Sequence, residues 1–482
     1  MAKHLSPRMH YPCPAPMLEL KGKKVLVVGL GKSGLAAALF LRRQGAHVTV
    51  SDIRSAEALA KDIPALLDEG INVEAGGHGL LTFRRQDLIV VSPGVPLDTP
   101  ELVQARNLGR PIIGELELAA RYLKGRILAV TGSNGKTTTT SLIGEILRKS
   151  GIRTEVGGNI GVPVIALIDD SSDDTWNVLE VSSFQLETTE QFHPRIAVIL
   201  NITPDHLDRH GTFENYALAK DRIFLEQNQD DYCVLNADNP RAAAAAQRAR
   251  SSLYWFSLQH SVEQGAWVEN GSIVFRTAPN GATETVMPLS TIPLKGDHNI
   301  ENVLASVCAA RLAGASIESI RNAVEEFKAV EHRLEYVATV NGVEVYNDSK
   351  ATNVDATAKA IAAFPGHIHL ILGGKDKNSD YTELNELLRA RVKAIYTIGS
   401  AAAKIESHLR GVVPIHSCET LDKAVATIAA AAHPGDIVLL APACSSFDQF
   451  ENYEQRGRIF KQLVNDWEAS RGGLPTLLER TH

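Results

Sequence analysis

A lysine and a run of threonines sit where a triphosphate would be handled, in Ala129–Thr140, AVTGSNGKTTTT. The apolar run Ile127-Leu128-Ala129-Val130 reads as a buried strand. It leads into Gly132-Ser133-Asn134-Gly135, and Lys136, Thr137 and Thr138 then open a helix. Glycines let the backbone curl so that several N–H groups face one anion, and the helix start adds positive potential. A lysine at position 136 reaches terminal phosphates, and the Thr137 hydroxyl can ligate Mg²⁺. The usual pattern carries glycine where Val130 stands, so the loop is a shortened variant. A glycine turn before a packed helix is the alternative, and the pattern favours a nucleoside triphosphate that is spent.

Other residue sets have two readings each. Gly29-x-Gly31-x-x-Gly34, enclosing Lys32 and Ser33, lies between a strand and a helix, and Asp52 follows the next strand. That spacing suits NAD, another diphosphate-bearing nucleotide, or plain helix packing. Glu180, at the end of an apolar strand in LEVSSFQLE, is placed to hold Mg²⁺ or simply to be exposed, and Ser182 and Ser183 can cap the next helix. His206 in TPDHLDRH lies on a loop at the carboxyl edge of a sheet, as a metal ligand or a structural histidine. Lys220 lies in the helical stretch YALAKDRIF, where spacing alone favours a solvated lysine. Asn299 and Asn302 open a helix and suit an adenine, a phosphate or a cap. Arg333 in HRLE offers a cation to a triphosphate. Three polar loops, Asn347–Asn353, Gly373–Lys377 and Pro442–Asp448, end strands of one sheet and make a ligand mouth. Within the last, Phe447 either stacks on a ring or packs.

Strands and helices must alternate to place these loops together. The pattern predicts an α/β chain of three domains: a Rossmann-like N-terminal domain, a central P-loop ATPase-like domain and a C-terminal Rossmann-like domain. Expected strands are Lys24–Val28, His47–Ser51 and Leu88–Val91; then Ile127–Val130, Asn177–Val181 and Ile196–Ile202; then Val343–Tyr346, Ile368–Leu372, Ala394–Ile398 and Ile437–Leu440. The stretch Tyr232–Leu294 is β-rich, with hairpin signals at Asn270-Gly271 and Asn280-Gly281, and a helix follows over Ile300–Leu312. Ala242–Ala246 reads as a surface helix. The domain bounds are 17–114, 115–328 and 329–470, with a disordered tail over 1–16 and another over 471–482; translation from Met17 is an alternative start.

Bulk properties narrow the class. The 482 residues suffice for about three domains. A net charge of −7 without a basic stripe speaks against nucleic acid as a partner. Apolar runs are strand-sized, so no membrane span is expected. The first 16 residues lack the apolar core of a secretory signal. Five scattered cysteines without CxxC spacing fit neither disulfides nor zinc, and a reducing cytoplasm suits them.

AVTGSNGKTT, GGNIG, LEVSSFQLE, TPDHLDRH, GDHNIEN, HRLE, YNDSKATN and APACSSFDQF occur in that order. Together they closely resemble the Mur ligases, from about Leu20 to Trp467, and SSFQLE and NDSKATN resemble the member that adds D-glutamate. The resemblance implies ATP-dependent ligation of D-glutamate to UDP-N-acetylmuramoyl-L-alanine through an acyl phosphate, with ATP and Mg²⁺, by a cytoplasmic monomer. The alternatives are a diaminopimelate- or lysine-adding or folylpolyglutamate synthase-like ligase of the same superfamily, or a nucleotide binder without ligase activity. The resemblance turns the first glycine loop toward a UDP diphosphate, with Gly31, Lys32, Ser33, Asp52 and Arg54, and puts Asn159 and Ser182 beside the sugar-linked substrate. It implies that Gly132, Ser133, Asn134, Gly135, Lys136, Thr137, Thr138, Asn299, Asn302, Arg333 and Asp348 meet ATP. Lys136, Glu180, His206 and Lys220 become catalytic, and Thr137, Glu180, His206 and a carbamylated Lys220 hold the metal. Lys350, Thr352, Lys377, Ser446 and Phe447 match the D-glutamate pocket. Relatives often carry an acid where Lys375 stands, which loosens the register of Lys377. An acyl phosphate must be kept from water, so the third domain is expected to swing onto the second about loose hinges near 114 and 328.

Overall fold

The structure is a computed structural model that describes residues 17–328 and 330–469. The expected tails over 1–16 and 471–482 lie outside the described residues, as does Cys13. Cys233, Cys308, Cys418 and Cys444 are buried free thiols. Among the described residues no helix is long and apolar enough to cross a membrane.

Three sheets, built mainly of parallel strands, follow one another along the chain. The first runs Asn72–Ala75, His47–Asp52, Lys24–Val28, Leu88–Val91, Ile112–Gly114 in space, all parallel. Helix Lys32–Arg43 packs on it through Gly34, Ala37, Ala38, Phe40 and Leu41, three and four residues apart. At Gly34 a Cβ would fall 1.9 Å from the Gly29 carbonyl oxygen, so glycine is what lets the helix start press on the turn.

The central sheet has nine strands. Thr154–Gly158, Trp176–Glu180, Arg126–Thr131, Ile196–Ile199, Tyr232–Asn236, Ser252–Ser257 and Gly265–Glu269 are parallel neighbours; Ser272–Arg276 and Thr283–Pro288 extend it antiparallel. Asn270 and Gly271 join two of these strands with φ of 49° and 72°, the pair of left-handed residues that a tight hairpin needs. Helices Lys136–Lys149 and Asp297–Leu312 share a core on one face. The second of these begins three residues before the expected Ile300, and strand Ile196–Ile199 stops three short of Ile202, because Asn201 turns out to brace the phosphate loop. Ala242–Ala246 is helical at the surface, as a short helix, Pro240–Ala244, that tightens into a 3₁₀ turn; Ala244 is exposed while Ala242 and Ala245 turn inward.

The third sheet orders Glu335–Val340, Val343–Asn347, Ile437–Leu440, Ile368–Gly373, Val392–Ile398, Ile415–Glu419, with only the first antiparallel. Helix Tyr453–Ala469 closes it, and its wholly buried Arg456 donates to the carbonyls of Ser349 and Cys444.

Apolar clusters join these units unequally. One runs without a break from Leu20 and Val50 in the first sheet through Leu116 and Ile165 to Ala197 and Tyr216 in the centre. The third sheet is covered by two clusters of its own, around Leu370 and around Val438. Among the described residues no apolar cluster spans the join between the central and third sheets. The segment at 114 is therefore not a loose hinge. Gly114 ends a strand that passes directly into helix Glu115–Ala120, and its N–H donates to Thr188 O at 3.2 Å.

Glu115 is sunk in that joint, 1% exposed. Its Oε1 accepts from Ile165 N at 2.7 Å, which ties the joint to the 3₁₀ segment Val164–Asp170, while Oε2 has no partner. Burial pushes its carboxyl up from 4.5 to about 7, against the pull of the Ile165 and Val164 N–H groups. The folded state therefore holds the proton more tightly than the unfolded chain. Its contribution is fully present below 4.5 and is lost as pH rises toward about 7. Glu115→Gln is expected to flatten the melting temperature across that window relative to wild type, as read by thermal melts at successive pH values.

Candidate active site

The phosphate loop is shaped by two left-handed glycines and held from beside. Gly132 and Gly135 have φ of 155° and 87°, and a Cβ at Gly135 would fall 2.2 Å from Asn302 Oδ1. Asn201 grips the loop twice: its Oδ1 accepts from Asn134 N at 2.8 Å and its Nδ2 donates to Asn134 O at 3.1 Å. Ser133 Oγ donates to Thr203 O at 2.9 Å and accepts from Thr203 N at 3.0 Å. Lys136 curls over the loop and donates to Gly132 O at 2.8 Å and Ser133 O at 3.0 Å.

Lys220 donates to that same Gly132 carbonyl at 2.9 Å. The solvated lysine that spacing favoured is thus 1% exposed. Helix Phe213–Asp221 packs its inner face against the loop and sets the Tyr216 ring under the Lys220 ammonium, 4.6 Å from the centroid. Burial, and then the charge of Lys136, push the Lys220 amine well below its ordinary value.

Glu180 ends strand Trp176–Glu180 and is 1% exposed. Its Oε1 accepts from Asn159 Nδ2 at 2.8 Å, and its Oε2 is buried without a partner. Burial raises its carboxyl, but Lys350, Lys136, Asn159 and Thr137 outweigh burial and hold it below the usual range. His206 takes a left-handed φ of 52°, and its ring meets Phe184 edge-on at 4.9 Å. Burial, with Lys377, Lys136 and Lys220 nearby, lowers the imidazole to about 4 against the pull of Asp205, so it is neutral at neutral pH. A buried carboxylate oxygen without a partner, with the Thr137 hydroxyl close by, offers the oxygen donors that suit Mg²⁺. Among the described residues no group of three or more His, Cys, Asp or Glu side chains holds an ion by itself, so phosphate oxygens and water must complete the coordination.

Next to the loop, Asn134, Gly135, Thr138, Asn299, Asn302, Arg333 and Asp348 line one cavity with Glu301 and Lys359. Seven of the residues expected to meet ATP thus share a wall, although they come from four separate stretches of chain. Burial lifts the Asp348 carboxyl to about 6 against Arg333, and its Oδ1 has no partner.

The third sheet adds its loops from across the gap. Lys350 donates to Thr137 Oγ1, and its ammonium lies 5.2 Å from the Tyr453 ring centroid. Burial lowers it to about 8 against the pull of Glu180. Lys377 meets Asp205 at 3.4 Å, and Asn353 donates to Asp205 at 3.0 Å. Ser446 is buried, whereas Phe447 is 68% exposed. Asp205 and Tyr453 escaped sequence reasoning; only the quoted TPDHLDRH pointed near the first.

In the first sheet, Gly31, Lys32 and Ser33 form the helix start. Asp52 braces the loop above: it accepts from Leu30 N at 2.7 Å and from Arg54 N, Nε and Nη2 at 2.8, 3.1 and 2.9 Å. Burial raises its carboxyl, but Arg54 and these N–H groups outweigh that and bring it to about 2. Ser182 caps helix Ser183–Leu186 in a reciprocal box with Gln185.

Comparison with known proteins agrees with this geometry. Residues 23–114 match the Mur ligase MurD-like N-terminal domain, 130–310 the Mur ligase middle domain and 332–444 the Mur ligase glutamate ligase domain. The UDP-N-acetylmuramoylalanine–D-glutamate ligase of Acidobacterium capsulatum is 72% identical over 93% of this chain and 97% of its own length. That of Koribacter versatilis is 60% identical over 93% of this chain and 98% of its own. The UDP-N-acetylmuramate–alanine ligase structure from Thermotoga maritima superposes with a TM-score of 0.58 at 20% identity, covering 93% of this chain and all of that one, which shows the shared fold. The chain belongs to the Mur ligase family.

Proposed function

We propose that this chain joins D-glutamate to UDP-N-acetylmuramoyl-L-alanine at the expense of ATP, releasing ADP and phosphate, in peptidoglycan precursor synthesis. What carries the reading is the meeting of Lys136, Lys220, Glu180 and, from the third sheet, Lys350 around one phosphate loop. Relatives at 72% and 60% identity bear that activity in their names.

A carboxylate is a poor electrophile, so the γ-phosphate is first moved onto it to give an acyl phosphate. The loop N–H groups and Lys136 offset the charge that builds on the transferring group. Mg²⁺, held by Thr137, Glu180, His206 and Lys220 as its carbamate, neutralises phosphate charge when bound. Burial and the charge of Lys136 depress the Lys220 amine and so favour its neutral form, the form that takes up CO₂ with loss of a proton to give an anionic carbamate. Asn299, Asn302, Arg333 and Asp348 seat the nucleotide. Lys350, Thr352, Lys377 and Ser446 take the glutamate carboxylates, and Tyr453 supplies the aromatic face assigned by resemblance to Phe447. The free amine attacks the acyl carbon, the tetrahedral adduct collapses, and phosphate leaves. Gly31, Lys32, Ser33, Asp52 and Arg54 receive the UDP end, with Asn159 and Ser182 beside the sugar. We place the enzyme in the cytoplasm as a monomer, with domain bounds at 17–114, 115–328 and 329–470.

Phosphate release measured with the muramoyl nucleotide, ATP, Mg²⁺ and each D- and L-amino acid in turn tests the reading. Release with D-glutamate alone is expected. Release only with another amino acid would move the chain to a different branch of the family, and silence with D-glutamate would end the proposal.

A further inference from the structure

Asp355 stands in the first turn of helix Val354–Ala362, in the C-terminal domain, yet its carboxylate serves the central one. Its Oδ2 accepts from Thr203 Oγ1 at 3.1 Å and from the side-chain amide of Asn134. Lys359, one turn further along, pairs with the same oxygen at 3.1 Å and keeps the carboxylate compensated.

The two donors belong to one rigid unit. The Asn134 backbone is fixed at both ends by Asn201, and Thr203 is locked to Ser133 of the same loop. With those bonds made inside the central domain, the Asn134 amide and the Thr203 hydroxyl remain to be satisfied from across the gap. Asn353, which caps the same helix, reaches the central domain beside them through Asp205 at 3.0 Å. This polar join has no apolar cluster behind it among the described residues, so each charged hydrogen bond weighs heavily in whether it forms.

We propose that Asp355 is a positioning residue that couples domain closure to the shape of the phosphate loop: its carboxylate, already paired with Lys359 on its own helix, gains the Asn134 and Thr203 donors only when both stand in their working places, so the amino-acid pocket shuts over a correctly formed loop. This rests on the ligase reading above. Lys377 and Ser446 reach the amino-acid pocket from the closing side, whereas Arg333 and Asp348 are the only closing-side groups assigned to the nucleotide, and Asn299, Asn302 and the loop itself are central. Loss of the latch should therefore weaken the amino acid more than the nucleotide, because apparent affinity scales with the fraction of closed enzyme.

The test compares wild type with Asp355→Ala and the near-isosteric Asp355→Asn. Steady-state constants are measured for ATP and D-glutamate, thermal melts are recorded, and the distance between fluorophores on the central and C-terminal domains is read with ADP alone. The expected result for Asp355→Ala is a rise of about tenfold in KM for D-glutamate, the size of one charge-assisted hydrogen bond, with kcat within about threefold and a longer mean distance. Asp355→Asn, which keeps an acceptor oxygen but loses the charge, is expected to raise both by less, about threefold in KM. If Asp355→Ala does not fold, a rise in KM and in distance for Asp355→Asn supports the latch. Unchanged KM and distance in the variant that folds overturn it, whatever happens to the melting temperature. Wild-type enzyme that releases no phosphate would sink the ligase reading instead, while the ADP-only distances still test the latch.

Discussion

Lys136→Ala is expected to abolish ATP-dependent phosphate release, lowering kcat by about a thousandfold or more. The side chain is the cation nearest the loop that must stabilise the transferring group, and two backbone carbonyls hold it in place, at 2.8 and 3.0 Å. Truncation leaves Gly132 O with its second donor, Lys220 at 2.9 Å, so the loop should keep its shape and the loss should be chemical. A circular-dichroism melt close to wild type beside an absent phosphate burst is the expected pair of results. Turnover near wild type would contradict the seat assigned to the triphosphate.

Lys220→Ala is expected to cost about a hundredfold or more in kcat, and wild-type enzyme is expected to lose activity reversibly in CO₂-free buffer. The argument is electrostatic. Burial, and then the charge of Lys136, whose amine shares the Gly132 carbonyl, push the Lys220 amine well below its ordinary value. A neutral amine beside the unpartnered oxygen of Glu180 adds little to a cation site, whereas a carbamate adds an anion. Stopped assays in degassed buffer, then with bicarbonate restored, separate the two states. Full activity without CO₂ would leave the lysine as a plain hydrogen-bond donor.

The readable parts of this chain are those whose chemistry is local. The phosphate loop and the first glycine loop are consecutive residues between a strand and a helix, and both lie where the pattern puts them. Edge strands such as Asn72–Ala75 and Ile415–Glu419 were missed because half-exposed strands carry mixed residues, NVEA and IHSCE, with weak alternation. Burial of Lys220 was invisible to spacing, since it is produced by the packing of its helix against a loop 88 residues earlier. Asp205 and Asp355 take their meaning from partners 148 and 221 residues away, and a single sequence carries no signal of that pairing.

The unbroken apolar seam between the first and central sheets has a mechanical result. Parting them would wet hydrocarbon at about 25 cal/mol per Å², while among the described residues no apolar cluster joins the third sheet to the central one. The first and central units thus share one slab of core, and that slab sets the span from the helix start at Lys32 to the loop at Gly132 as a ruler. On the proposed seating of the UDP end at Lys32, an acceptor would be measured against that ruler, and only one of matching length would bring its acid to the phosphate.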